Sequence, residues 1–237
     1  KMSGSFASLN GRKSQCQLDS IISLSKSPLR MAEVKKHMPL KLLPLSFYRN
    51  STQIVARKLL GKLLVRTLTR RRLIGRIVEV EAYLANSDPA SHAARGKTKS
   101  NAAMFGPAGR AYVYPIHSHH CFNVVTGADG AGTAVLIRAL EPVNGIDVMQ
   151  EQRNREKSLE LTRGPGRLCQ AFAIDRQLDH WNLTKGRQLW VDDDGIRFAD
   201  KDISTSIRIG VSSGTQLPLR FFLRDCPYVS GNRRLNH

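Results

Sequence analysis

The chain changes character near residue 43: from Leu43 onward apolar and polar positions recur at regular intervals, and before it they do not. Residues 62–68 and 73–83 read as two strands, the second alternating with the period of two that marks a strand with one face turned inward. The basic turn Thr69–Arg72 joins them. On the second strand, alternation puts Ile77, Glu79, Glu81 and Tyr83 on one face and Val78, Val80 and Ala82 on the other. Further strands are predicted at 111–116, 121–126, 133–140, 188–191, 206–211 and 219–223. Helices are predicted where a capping residue precedes an apolar stretch: from Ser51-Thr52 through Leu60, with Gly61 as the stop, and from Asn144 to about Arg153. Asp88-Pro89 opens a brief helical turn carrying His92, and a helix at 167–174 follows the Arg163-Gly-Pro-Gly166 knot. Asp192-Asp193-Asp194-Gly195 lacks the ligand spacing of a calcium loop and reads as a turn. The predicted class is α/β (mixed α+β): one domain over residues 43–237, around a largely antiparallel curved sheet with peripheral helices and no helix–hairpin–helix.

Residues 1–42 are rich in Ser, Lys and Arg and carry only Asp19 and Glu33 as acids. Such a segment cannot bury enough apolar surface to offset its ordering cost, so it is expected to be a disordered basic arm. An organelle transit peptide, or sequence upstream of a start at Met31 or Met38, fits the same composition.

Charge narrows the class of partner. Lys and Arg number 37 against 19 Asp and Glu, a formal charge of +18 over 237 residues. No apolar run is long enough for a membrane span and no long basic amphipathic helix is present, so membrane partners are not expected. A polyanion is, and nucleic acid leads, because its affinity comes first from phosphate neutralisation. The phosphate contacts are expected among Arg66–Arg76, Arg95–Lys99 and Arg153–Arg167. Cys16, Cys121, Cys169 and Cys226 are far apart with no CxxC, which points to inert buried thiols in a reducing compartment: bacterial cytoplasm, an organelle, or a nucleus.

Within this basic chain, Arg76-Ile77-Val78-Glu79-Val80-Glu81-Ala82-Tyr83 sets two carboxylates in an apolar strand, with Arg76 as their only local partner. A carboxylate at a strand end beside an aromatic ring suits a general base facing a flat substrate. Glu81 fits that role, while Glu79 reads as a solvated acid on the strand face. Tyr83, His92, Tyr112, Tyr114 and the His117-Ser-His119-His120 cluster gather around this position, enough rings to sandwich a planar base withdrawn from a duplex.

Glu79-Val-Glu-Ala-Tyr83, Ser91-His92, Met104-Phe105, Tyr112-Val-Tyr114, Cys121-Phe-Asn123, Leu136-Ile-Arg-Ala-Leu-Glu-Pro142, Gly164-Pro-Gly-Arg-Leu-Cys-Gln170 and Arg208-Ile-Gly210 occur in one order. In that order the chain resembles the alkyladenine (3-methyladenine) DNA glycosylases from about Leu43 to Asn232. The resemblance implies a monofunctional enzyme of base excision repair that flips a damaged purine from double-stranded DNA and hydrolyses its N-glycosidic bond. It implies no cofactor and no metal, and a monomer is expected. By resemblance Glu81 activates water, and Arg138 and the backbone of Ile209 help to hold that water, with Arg138 also near the flipped nucleotide's phosphate. Tyr83, His92 and Tyr114 would line the base slot, and Asn123 would meet the 2-amino group of an undamaged guanine. A cationic base such as 3-methyladenine departs without a strong acid, so one carboxylate suffices. Neutral bases need a proton, for which Glu79 is a candidate.

The sequence departs from the family at the Tyr-Gly pair that commonly follows the Tyr-Val-Tyr strand and supplies a DNA-intercalating tyrosine. Here Tyr114-Pro115-Ile116-His117-Ser118 stands in its place, one residue shorter before Cys121, which makes His117 the wedge. Two other readings compete: a zinc protein using His117, His119, His120 and Cys121, and a non-catalytic basic module that binds nucleic acid by charge and stacking.

Overall fold

The computed structural model describes residues 40–85, 87–232 and 236. The expected basic arm and Cys16 fall outside these, except that Lys41–Leu42 form a short strand, β1. Two helices follow, α1 (Leu45–Tyr48) and α2 (Thr52–Leu59), then the hairpin of β2 (Leu63–Leu68) and β3 (Arg71–Tyr83). After a turn-rich segment come β4 (Ala111–Ile116), β5 (His119–Thr126) and β6 (Thr133–Asn144). Helices α3 (Ile146–Arg153) and α4 (Pro165–Ala171) precede β7 (Leu189–Asp193), β8 (Ile203–Ser206) and β9 (Arg220–Leu223). All pairings are antiparallel, in the order β1-β7-β2-β3-β6-β5-β4. The sheet forks at β3: β6 takes one edge, while β2 and then β9, with β8 beyond it, share the other. The predicted class therefore holds, and no helix among the described residues is long and apolar enough to cross a membrane.

The fork explains why the alternation along β3 stops. Residues 72–76 alternate between open and closed positions, but Ile77 through Ala82 are all buried, Glu79 and Glu81 included. Helix α2 packs on β3 and β6 through Val55, Ala56 and Leu59. It ends at Gly61, where φ is +83° and a Cβ would come within 2.6 Å of the Phe198 ring, so only glycine fits. The β3–β6 ladder is irregular at the same place. Ile77 faces Leu140 and Glu79 faces Ala139, which makes Val78 an extra residue; Val80 faces Ile137, which makes Arg138 an extra residue on the partner strand. Such compensating bulges re-aim side chains at the cost of ladder bonds. Here they bring Arg138 to both glutamates.

Several expected elements differ. The Asp88 segment is a run of tight turns rather than a helix, with Ser91 N–H donating to Asp88 C=O and Ala94 N–H to Ser91 C=O. Gly145, in the left-handed region at φ +74°, precedes α3, and the Asn144 amide donates to the Arg72 carbonyl instead of capping. Helix α4 starts at Pro165 and stops at Ala171. Strand β7 continues through Asp192 and Asp193, because both pair with β1 and Asp192 also with Leu63 of β2; Trp190 Nε1 donates to Asp192, and Lys62 and Arg197 pair with Asp193. The strand expected at 206–211 occupies Ile203–Ser206, since the Ile209 N–H is committed to a side chain, Glu81, rather than to a ladder.

Candidate active site

Glu81 is wholly buried, and donors from three elements converge on it. Tyr83 donates its hydroxyl to Oε2 at 2.9 Å, Ile209 donates its N–H to Oε1 at 2.8 Å, and Arg138 Nη1 lies 3.2 Å from Oε1. Arg138 Nη1 also reaches the Ile209 carbonyl at 3.4 Å. Glu81, Arg138 and Ile209 are thus one assembly. Glu79 is not the solvated acid expected from alternation: it is fully buried, and its partners are Arg138 and Arg220 rather than Arg76. Arg138 Nε donates to its Oε1 at 3.0 Å, Arg220 Nε to the same oxygen at 2.7 Å, and the Ser230 N–H to Oε2 at 2.6 Å. Burial pushes this carboxyl up, but Arg138, Arg220 and the Ser230 N–H together hold it below its ordinary value. A carboxylate so held has no proton to give at neutral pH, which removes Glu79 as a general acid. Arg76 instead pairs with Asp194 at 2.9 Å and with the Gly61 carbonyl.

Tyr83, His92, Met104, Tyr112, Tyr114 and Asn123 line a slot beside Glu81 whose free volume is about 20 Å³. His92 and Tyr114 stand edge to face with centroids 4.6 Å apart, and Tyr112 and Tyr114 are 5.3 Å apart. Small side chains, Ala93, Ala103 and Ala134, pack behind the rings. Tyr112, one of the surrounding rings expected from the sequence, is also part of the slot, and its hydroxyl meets His92 Nδ1 at 2.8 Å. Burial pulls the His92 imidazole below its ordinary value and pushes the Tyr112 phenol above its own, so both are neutral near pH 7. Asn123, directly across the ladder from Tyr112, donates its amide to the Tyr112 carbonyl at 3.1 Å.

Beside Arg138 opens a groove of about 590 Å³ bearing His119, Arg163, Arg167 and the Gly164–Gly166 backbone. His117 and Ser118 form the two-residue tip of the β4–β5 hairpin, with His117 exposed at φ +50°. The zinc reading needs convergence that this hairpin does not provide. Cys121 is buried against Tyr114 with its thiol pushed up by burial, whereas His117 and His119 are exposed. Among the described residues no group of three His, Cys, Asp or Glu side chains is placed to hold a metal. Cys169 and Cys226 are likewise buried free thiols, the latter pushed up to about 12 by burial.

Not every arginine in the basic stretches faces outward. Arg66 is half-buried and spent on the carbonyls of Thr67 and Gln188, while Arg71 is exposed but paired with Asp147. Sequence reasoning also missed Asp88 and Arg208, which form a buried pair behind Tyr83. Asp88 was read as a cap, because its true partner lies 120 residues away.

The profile of one known family, methylpurine-DNA glycosylase, matches residues 46–227. Three relatives carry the printed name "Putative 3-methyladenine DNA glycosylase". The one from Carboxydothermus hydrogenoformans is 51% identical over 190 residues, covering 80% of this chain and 98% of that protein. The one from Methanoculleus marisnigri is 48% identical, over 79% of this chain and 98% of its own length, and the one from Rhodopirellula baltica is 46% identical, over 78% and 81%. A family match over residues 46–227, the span that contains Glu81, Arg138 and the ring-lined slot, together with relatives about half identical over most of their length, makes this chain a member of the methylpurine-DNA glycosylase family.

Proposed function

We propose that this protein is a monofunctional DNA glycosylase that extracts alkylated or deaminated purines of the 3-methyladenine type from duplex DNA. It hydrolyses the N-glycosidic bond with a water activated by Glu81. The observation that carries the reading is the Glu81 carboxylate, buried beside an aromatic slot and oriented by Tyr83, Ile209 and Arg138.

In this reading the flipped base lies against Tyr83, His92 and Tyr114. Water attacks C1′ of the sugar while Glu81 takes its proton. The bond from C1′ to the purine nitrogen breaks, and its electron pair leaves with the base. For 3-methyladenine that pair neutralises a cationic ring, so no acid is required. Glu81 and the Ile209 carbonyl stabilise the cationic sugar of the transition state, and Arg138 orients Glu81. Arg138, Arg163 and Arg167 offer cations to the phosphates flanking the flipped nucleotide. Asn123 excludes guanine by meeting its 2-amino group, and His117 enters the stack at the vacated position.

Incubation with duplex DNA treated with a methylating agent tests the reading. Free 3-methyladenine should appear with no strand cleavage until alkali is added. Tight binding with no released base would instead favour a non-catalytic nucleic-acid module.

A further inference from the structure

Arg208 and Asp88 meet through two hydrogen bonds of 2.6 Å, Nη1 to Oδ2 and Nη2 to Oδ1, with both side chains fully withdrawn from solvent. A buried ion pair of this kind is seldom the most stable filling for its space, since desolvation offsets much of the attraction. Moreover, Arg208 Nε is buried without a hydrogen-bond partner, a further cost. The pair is better explained by what it holds.

Three of its connections lead to Glu81. Arg208 immediately precedes Ile209, whose N–H meets Glu81 Oε1 at 2.8 Å. Its guanidinium lies 4.6 Å from the centroid of the Tyr83 ring, whose hydroxyl meets Oε2. Its Nη1 also donates at 3.0 Å to the carbonyl of Ala82, the residue between Glu81 and Tyr83. Asp88 in turn accepts the N–H groups of Leu84 and Ala90 at 3.0 and 3.1 Å, which fixes the turn running toward His92. One pair therefore ties the segment that orients one carboxylate oxygen to the strand end that orients the other.

We propose that Asp88 and Arg208 are positioning residues for base excision: neither touches Glu81, and together they set Tyr83 and Ile209, two of the three groups that aim its carboxylate. This role rests on the reading of Glu81 as the general base. Lysine at 208 would keep the charge but lose the planar fork and the face against Tyr83. A small misplacement at a reacting centre can cost about 100-fold in rate.

The test measures single-turnover excision at saturating enzyme on a hypoxanthine duplex and a methylated duplex, together with duplex affinity and thermal midpoint. The proteins compared are wild type, Arg208→Lys, Asp88→Asn and the control Lys62→Met. Lys62 belongs to another buried pair, with Asp193 at 3.0 Å, that touches none of the groups around Glu81. Arg208→Lys and Asp88→Asn should lose about 10- to 100-fold in maximal rate at temperatures well below their midpoints, with affinity within about threefold of wild type. Lys62→Met should lose stability and keep its rate. If Asp88→Asn does not fold, Arg208→Lys carries the comparison. In a Tyr83→Phe background Arg208→Lys should cost less than in wild type, because one of its routes to Glu81 is already cut. Wild-type rates in the folded variants, or an equal slowing in Lys62→Met, would overturn the positioning role. A wild-type protein that releases no base would overturn the proposed activity itself, a distinct result.

Discussion

Tyr83 donates its hydroxyl to Glu81, two residues earlier on the same strand, at 2.9 Å. The ring proposed to stack on an extracted base is therefore also a ring that holds one oxygen of the proposed general base. The arrangement follows from a period of two, which sets residues 81 and 83 side by side on one face.

Glu81→Gln should keep this geometry and lower single-turnover excision by about 100-fold or more, the usual contribution of a general base, with lesion-DNA affinity retained. Glu79→Gln should behave differently. It leaves Arg138 and Arg220 buried with less countercharge. Removing one partner of such a cluster costs about 3–5 kcal/mol, or roughly 6–20 °C in thermal midpoint for a domain of this size. The pH dependence follows from the depressed Glu79 carboxyl. Its stabilisation is complete above its unfolded value of 4.5 and is lost as pH falls through the lower folded value. Thermal melts below pH 4.5 should therefore fall steeply for wild type and more gently for Glu79→Gln. Equal stability of the two proteins at pH 7 would contradict the assignment.

How much of this was legible depended on the range of the interaction. The β2–β3 hairpin, strands β4 to β6 and the slot rings could be read locally, because alternation and cap residues operate within a few positions. The state of Glu79 could not. One strand's alternation points to exposure, yet Arg138 of β6, Arg220 of β9 and the Ser230 N–H enclose its carboxylate. Asp88 likewise has ordinary local chemistry, two N–H groups within four residues, that masks a partner in the 206–211 segment. The role of Glu81 was suggested by the aligned family motifs, and the positioning pair behind it emerged only from the folded chain.

Tyr112 should govern how His92 meets a base. The Tyr112 hydroxyl and His92 Nδ1 share a hydrogen bond of 2.8 Å; in the tautomer where the phenol donates, Nε2 carries the ring proton and can offer it to an acceptor such as O6 of hypoxanthine. Tyr112→Phe removes that control and leaves a buried nitrogen unpaired. It should cost about 1–3 kcal/mol in stability and lower excision of hypoxanthine more than that of 3-methyladenine. The depressed His92 value predicts a stability that rises with pH between that value and 6.5, where the unfolded chain binds the extra proton. Melts between pH 5 and 7 should show a smaller slope in His92→Gln. An unchanged slope would mean that His92 does not titrate in this range.

Asn123 is held by its amide bond to the Tyr112 carbonyl, so its side chain presents a fixed obstacle rather than one that can swing aside. Asn123→Ala and Asn123→Ser should open space for the 2-amino group and raise guanine release, most readily from mismatches where unpairing costs less. Activity on 3-methyladenine should persist in both. Guanine release that stays at background while other activity survives would show that the gate lies elsewhere.

The hairpin tip makes the sharpest demand on geometry. A two-residue turn with its first residue at φ +50° fixes the direction of the His117 side chain, and histidine tolerates that region better than β-branched residues do. Pro115 stiffens the strand before it, and Ile116 adds an exposed apolar side chain next to the imidazole. A wedge offsets an unstacking cost of a few kcal/mol per base step, and stacking a ring on a base is worth about 1–3 kcal/mol. His117→Tyr, with the larger ring, should therefore lengthen the lifetime of the extrahelical complex, and His117→Ala should shorten it by about fivefold or more. Stopped-flow fluorescence of an ethenoadenine duplex would report both flipping and return. If neither substitution changes those rates while the equivalent changes at His119 do, the wedge is His119, whose exposed ring stands at the other side of the same turn.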